Sequence, residues 1–344
     1  MCFLILGGLS LSTEAKKNLV LLESDDWSRG DSKGLRLTED GQLTLSHQNE
    51  GFFISPTIEP GVEFTQLVPF WNVTTPPGTK VSIKAKLKIG EEWSRWLKVA
   101  TWKEDEPLTY SQSFPEVEVI IDTLKVKTHK ADGFKLFIEL SSNSRDVTPS
   151  VRLLGATYWN STGESQSTGT EVAGYQKDLK VPKESQFEQP ASIASLICSP
   201  TALSMVLQYY GKHVKPLEAA QGVYDHGPEI YGNWSFNTAF VGNHGFEAYV
   251  RYFLGIEDIK EEISAGHPVI ASISYGKGEL KGAPTKSTSG HLVVVRGFLK
   301  KEDQEYVIVN DPAAKTDKSV RRTYRLDQFI TAWKGIGYVI RPLS

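Results

Sequence analysis

The chain runs to 344 residues, enough for two domains of ordinary size, and carries 38 basic against 41 acidic side chains for a formal charge of −3. So even a balance argues against a chain devoted to nucleic acid or another polyanion. No apolar run approaches the roughly 18–20 residues that span a bilayer, and 10% aromatic content with 29 glycines reads as globular.

Residues 1–15 have the apolar character of a secretion-signal core but no basic stretch before it, so a truncated signal and a first buried strand are both open. Only Cys2 and Cys198 occur, which gives no disulfide framework. A secreted or cell-surface bacterial protein is expected, with a cytoplasmic one still open. From 16 to 160 short strands alternate with turns. Phe64–Trp71, Lys80–Lys88 and Gly133–Leu140 largely alternate apolar with polar residues, the mark of strands with one wet face. An all-β sandwich or jelly roll is predicted. Trp71, Trp93, Trp96 and Trp102 serve either as packing or as a platform for stacking sugars. Residues 161–173 are small and polar, a linker by composition. A clean separation there predicts a C-terminal region that folds by itself.

Residues 174–344 read as α+β. From Thr201 to Tyr210, Ala202, Leu203, Val206, Leu207 and Tyr210 recur at three- and four-residue spacing, and Gly211 stops the run. Pro200 suits the first turn. Cys198 therefore stands at a helix N-terminus, where free N–H groups and the dipole favour a thiolate. Further helices are expected over Pro216–Gln221, Phe236–His244 and Ile256–Ala265, and a buried strand over Pro268–Ser274. Gly290–Phe298 and Tyr306–Asn310 read as two strands with a turn near Lys301 or Glu302. Folding them as a hairpin brings His291 opposite Asp311, within a residue or two. A cysteine, a histidine and an acid that can orient the histidine are the elements of nucleophilic acyl transfer. A small buried thiol, a structural histidine and a turn-forming Asp-Pro are the plainer readings.

Six segments carry a resemblance: Val181–Gln186, Cys198–Ala202 with its helix, Gly232–Asn237, Ala265–Ile270, Gly290-His291-Leu-Val-Val, and Val309–Ala313. In this order, and over most of Val181 to Ser344, the sequence resembles the bacterial C39-like cysteine peptidases of papain-like fold. The resemblance implies Cys198 as nucleophile, His291 as base, Asp311 as orienting group and Gln186 as oxyanion donor. Several relatives have Gly where Ser199 stands. Gln189 is the rival oxyanion donor and Asn310 the rival orienting residue.

The expected activity is peptide-bond hydrolysis on a peptide or protein substrate, without cofactor or metal. His213, His226, His244 and His267 lack zinc-site spacing. Peptidyl transfer on the same residues, and a non-catalytic surface protein that recognises a cell-envelope ligand through its β region, are the alternatives.

Overall fold

The computed structural model describes residues 18–161 and 176–343. Residues 1–15 and all of the expected linker except Ser161 lie outside the described residues. The N-terminal unit is two antiparallel sheets. The first orders its strands Gln112–Ser113, Val117–Ile120, Thr123–Val126, Gln66–Thr74, Ser150–Trp159, Leu43–Leu45 and Leu35–Leu37, with Leu19–Leu22 also paired to Ser150–Trp159. The second orders them Leu108–Thr109, Leu97–Lys103, Thr79–Ile89, Gly133–Ser142, Glu50–Ile54 and Asp31–Lys33, with Glu92–Trp93 paired to Thr79–Ile89. Period-two alternation explains the second sheet: in Thr79–Ile89, Val81, Ile83, Ala85 and Leu87 are buried and the lysines between them face outward. The two sheets meet through aromatic rings, Phe134 of the second lying 6.0 Å from Tyr158 of the first, with Phe64 against both.

The C-terminal unit sets helices beside a seven-stranded antiparallel sheet, six of its strands ordered Phe246–Tyr252, Trp333–Pro342, Val269–Tyr275, Thr288–Lys301, Gln304–Asn310 and Arg321–Arg325; the seventh, the short strand Lys177–Asp178, pairs with Thr288–Lys301 at Gly297 and Phe298. The helices are α1 (Cys198–Tyr209), α2 (Pro216–Gly222), α3 (Trp234–Asn243), α4 (Ile256–Ala265) and α5 (Leu326–Ala332). Helix α3 begins two residues before its expected start because Asn233 caps it, its side chain accepting from the N–H of Phe236 at 2.7 Å. The strands Phe246–Tyr252, Arg321–Arg325 and Trp333–Pro342 were not predicted, so sheet and helices interleave along the chain.

Helix α3 has no wet face. Every residue from Ser235 to Gly242 is buried, and such a helix needs cover on all sides. The N-terminal unit provides much of it. Trp71 and Trp102 pack on Phe236 with ring centroids 6.2 and 5.0 Å away. The Asp122 carboxylate accepts from the N–H of Ser235 at 2.8 Å, in the first turn of the helix, and Ser235 Oγ donates to the carbonyl of Pro69 at 2.6 Å. Asn72 pairs both ways with the backbone of Ala248, at 2.8 and 2.9 Å. At Gly242 any Cβ would come within 2.8 Å of Asn72 Cα, so only glycine permits this approach. Buried Asp225 adds a second anchor, accepting from Thr109 N at 2.9 Å and Thr109 Oγ1 at 2.5 Å. The units thus share a buried, hydrogen-bonded interface, contrary to the expected clean separation.

Candidate active site

Cys198 is the first residue of α1 and is half-buried. Its thiol lies near the His291 imidazole and the N–H groups of Leu292 and Ser199, which act on its pKa. His291 lies opposite Ile273 in the sheet, on Thr288–Lys301, a strand that packs against α1. The hairpin turns at Glu302, which holds a positive φ of 53°, and a β-bulge at Arg296 shifts the pairing so that Val294 faces Asn310. Continued one step, that register sets Asp311 across from Val293, two residues from His291. A two-residue offset keeps both side chains on one face of the sheet.

There the His291 Nε2–H donates to Asp311 Oδ1 at 2.7 Å, leaving Nδ1 for the thiol. Asp311 is fully buried and accepts two further bonds, from Tyr324 Oη at 2.7 Å and from the N–H of Ala313 at 3.0 Å. Three donors on one carboxylate hold it in place and keep it ionised. Burial alone would raise the Asp311 pKa, yet His291 and these hydrogen bonds bring it below the ordinary value. Burial alone would lower that of His291, but the Asp311 charge and the Cys198 contact raise it, to about 10. For Cys198 burial pushes the thiol up, and the imidazole with the two N–H groups more than reverses this. All three directions favour a thiolate beside an imidazolium.

Asn310 points elsewhere. It donates to the carbonyls of Pro182 and Val181, at 2.7 and 3.3 Å, and accepts from Arg296 Nη1 at 3.0 Å. Gln186 lies in a short 3-10 turn and is buried. The turn that follows Asp311 holds it there: Gln186 N donates to Pro312 O at 2.9 Å, Ser185 Oγ to Ala314 O at 2.5 Å, and Ser185 N to Asp317 Oδ1 at 2.6 Å. The Gln186 amide gives one N–H to Ala194 O at 2.8 Å, and its Oε1 is buried without a partner. Gln189 closes that turn through its backbone N–H to Gln186 O, with its side chain half-buried.

Two contacts had no signal in the sequence. Tyr324 sits on a strand that was not predicted. Ser199 turns inward, its Oγ 3.2 Å from Asn237 Oδ1 on α3 and 3.4 Å from Tyr338 Oη. Gly232, with a positive φ of 101°, makes room for it; a Cβ there would stand 2.7 Å from Ser199 Cβ.

Two family descriptions match the chain: the Peptidase_C39 like family over residues 178–340 and a Peptidase C39 N-terminal domain over residues 20–158. No curated protein matches significantly. Among solved structures, a double glycine motif protease from an AMS/PCAT transporter in complex with the leader peptide is 24% identical, covering 49% of this chain and 99% of its own, at a TM-score of 0.32. A putative C39-like peptidase from Bacillus anthracis is 18% identical, with 49% and 98% covered and a TM-score of 0.38. The peptidase domain of Streptococcus ComA is 17% identical, with 49% and 99% covered and a TM-score of 0.33. The family match spans the segment that holds the half-buried thiol and its imidazole, and this region of the chain, residues 178–340, belongs to the C39-like cysteine peptidases.

Proposed function

We propose that Cys198, His291 and Asp311 work as a catalytic triad that hydrolyses peptide bonds, with Gln186 and the Cys198 N–H as the oxyanion site. The observation that carries this reading is the 2.7 Å bond from His291 Nε2 to a buried Asp311, which turns Nδ1 toward the thiol. The Cys198 thiolate attacks the scissile carbonyl carbon, and the carbonyl oxygen becomes an oxyanion beside the helix N-terminus. The imidazolium gives its Nδ1 proton to the leaving amine as the C–N bond breaks, leaving a thioester. His291 then takes a proton from water, the hydroxide adds to the thioester carbon, and the C–S bond breaks to release the acid. Asp311 keeps one tautomer and stabilises the imidazolium without changing its own protonation. Ser199 in place of Gly leaves this chemistry intact, since its hydroxyl is turned toward α3.

Exposed Phe187 lies on the stretch closed by the Gln186 to Ala194 bond and exposed Leu196 just past it, which supports an apolar side chain in the substrate near the cleaved bond. The N-terminal pair of sheets is read as a sandwich of jelly-roll type. A thiol-directed peptidyl electrophile tests the triad. Cys198 should be alkylated at pH 6 well above the rate of a free thiol, which at that pH is less than about 1% ionised; Cys198→Ala should abolish labelling and peptide cleavage. A rate at pH 6 no higher than that of the free thiol would overturn the assignment. Cleavage in the presence of a large excess of an added amine separates hydrolysis from peptidyl transfer by the mass of the product.

A further inference from the structure

The overall charge balance averages over faces that differ. On the outer face of the sheet that contains Thr79–Ile89, lysines stand directly opposite lysines on neighbouring strands: Lys80 across from Lys103, Lys84 from Lys98, and Lys86 from Lys135. Like charges directly opposed destabilise a sheet. Among the described residues Lys80, Lys84, Lys86, Lys98 and Lys135 form no ion pair; Lys103 has Glu106 at 3.9 Å, and Lys88 has Glu59 at 2.9 Å and Asp132 at 3.9 Å. Glu139, opposite both Ser82 and Phe52, and Glu50, opposite Ser141, are the acids nearest them, with Asp31 at the edge strand opposite Ile54. The Lys86 ammonium is disfavoured by burial and by Lys135, so the crowding is felt.

Aromatic rings fill the spaces between these lysines. Phe52 and Phe137 are stacked at 5.7 Å, and Trp96 meets Phe137 at 5.7 Å. Lys84 Nζ lies 4.5 Å above the Phe137 ring, and Lys86 Nζ 4.7 and 5.1 Å from the Trp93 and Trp96 rings. All four rings are half-buried. In contrast, Trp71 and Trp102 are buried at the interface with α3 and take no part.

We propose that this face binds an acidic polysaccharide, with sugar rings laid on Phe137 and Trp96 and their acid groups paired with Lys84 and Lys86. The C–H face of a sugar ring carries partial positive charge and suits the negative face of an aromatic ring. In the free protein the ammonium groups occupy those faces through cation–π contact. An acid group on the glycan draws them aside, relieves the opposed charges and uncovers the rings in the same step. A membrane surface fits less well, because the exposed large apolar side chains of the N-terminal unit, Leu37, Val62, Ile120 and Val147, lie off this sheet.

The full chain should be retarded in native gels cast with polygalacturonate and not in gels cast with neutral dextran. The double variant Lys84→Gln/Lys86→Gln should weaken that binding about tenfold or more, and Trp96→Ala should do the same, while each variant still melts in one cooperative transition and labels Cys198 at the wild-type rate. No retardation by polygalacturonate overturns the proposal. Retardation that survives the lysine double variant also overturns it. Tighter binding to oligo-dT or to anionic phospholipid vesicles than to polygalacturonate would reassign the face to nucleic acid or membrane. Because labelling of Cys198 is read separately, failure here and failure of the triad are distinguishable.

Discussion

Asp311, Asn310 and Gln186 differ in what they hold, and their substitutions should separate accordingly. Asp311→Asn keeps the shape but loses the charge that stabilises the imidazolium, so kcat should fall, though less than in His291→Ala. Asn310→Ala leaves the triad geometry alone and removes buried bonds to Pro182 and Val181. It should lower stability by about 1–3 kcal/mol, read by denaturant titration, with kcat little changed. Damage to kcat from Asn310→Ala with a mild Asp311→Ala would mean that the orienting group had been misassigned. Gln186 has one amide N–H engaged by Ala194 O and a second free to meet an oxyanion. Gln186→Ala should therefore reduce kcat by about 100- to 1000-fold and leave the alkylation rate of Cys198 unchanged, since the thiolate does not use that amide. The same signature in Gln189→Ala, with Gln186→Ala like wild type, would move the oxyanion role to Gln189.

At the scale of elements, α3 joins the two units, and the carboxylate at its start makes that junction pH-dependent. Burial raises the Asp122 pKa to about 6, against the N–H of Ser235 and other hydrogen bonds that lower it. In the unfolded chain the value is near the usual ~3.9. Between the two the folded state binds more protons, so stability should fall as pH rises from about 4 to 6 and level off above. Asp122→Asn keeps an acceptor without the titration. The melting temperature of wild type relative to Asp122→Asn should thus be higher at pH 4.5 than at pH 7; an unchanged difference would show that Asp122 does not titrate in this range. Much of this architecture was legible in the sequence where periodicity is strong. Helix α4 occupies its predicted residues, because DIKEEISA has a clear apolar stripe and Gly266 takes the left-handed stop at φ 94°. The meeting of His291 with Asp311 was legible because hairpin geometry is local. What escaped was non-local: the strand Trp333–Pro342 is buried on both faces and shows no alternation, and Tyr324 approaches Asp311 only once Arg321–Arg325 joins the sheet. Helix α3, buried on every side, has no one-sided pattern from which to infer a partner.

For the molecule as a whole, the shared interface predicts that the C-terminal unit does not stand alone. A fragment from residue 176 onward exposes Phe236 and the α3 surface covered by Trp71 and Trp102, and it leaves buried Asp225 without Thr109. Such a fragment should aggregate or lose Cys198 labelling, and adding the separately expressed N-terminal unit should restore part of both. A soluble fragment that labels at the full rate would show that the interface is dispensable. The same geometry also bears on the order of events at the ribosome. Everything that covers α3 from the N-terminal side is encoded before residue 161, whereas α3 ends at Asn243. At roughly 5–20 residues per second, the sheets have about 4–16 s to form before the helix is complete. The apolar helix then emerges onto a surface already made, so the first half of the chain acts as a mould for the second, and moving it to the C-terminus by circular permutation should make biosynthesis, more than the finished enzyme, the point of failure.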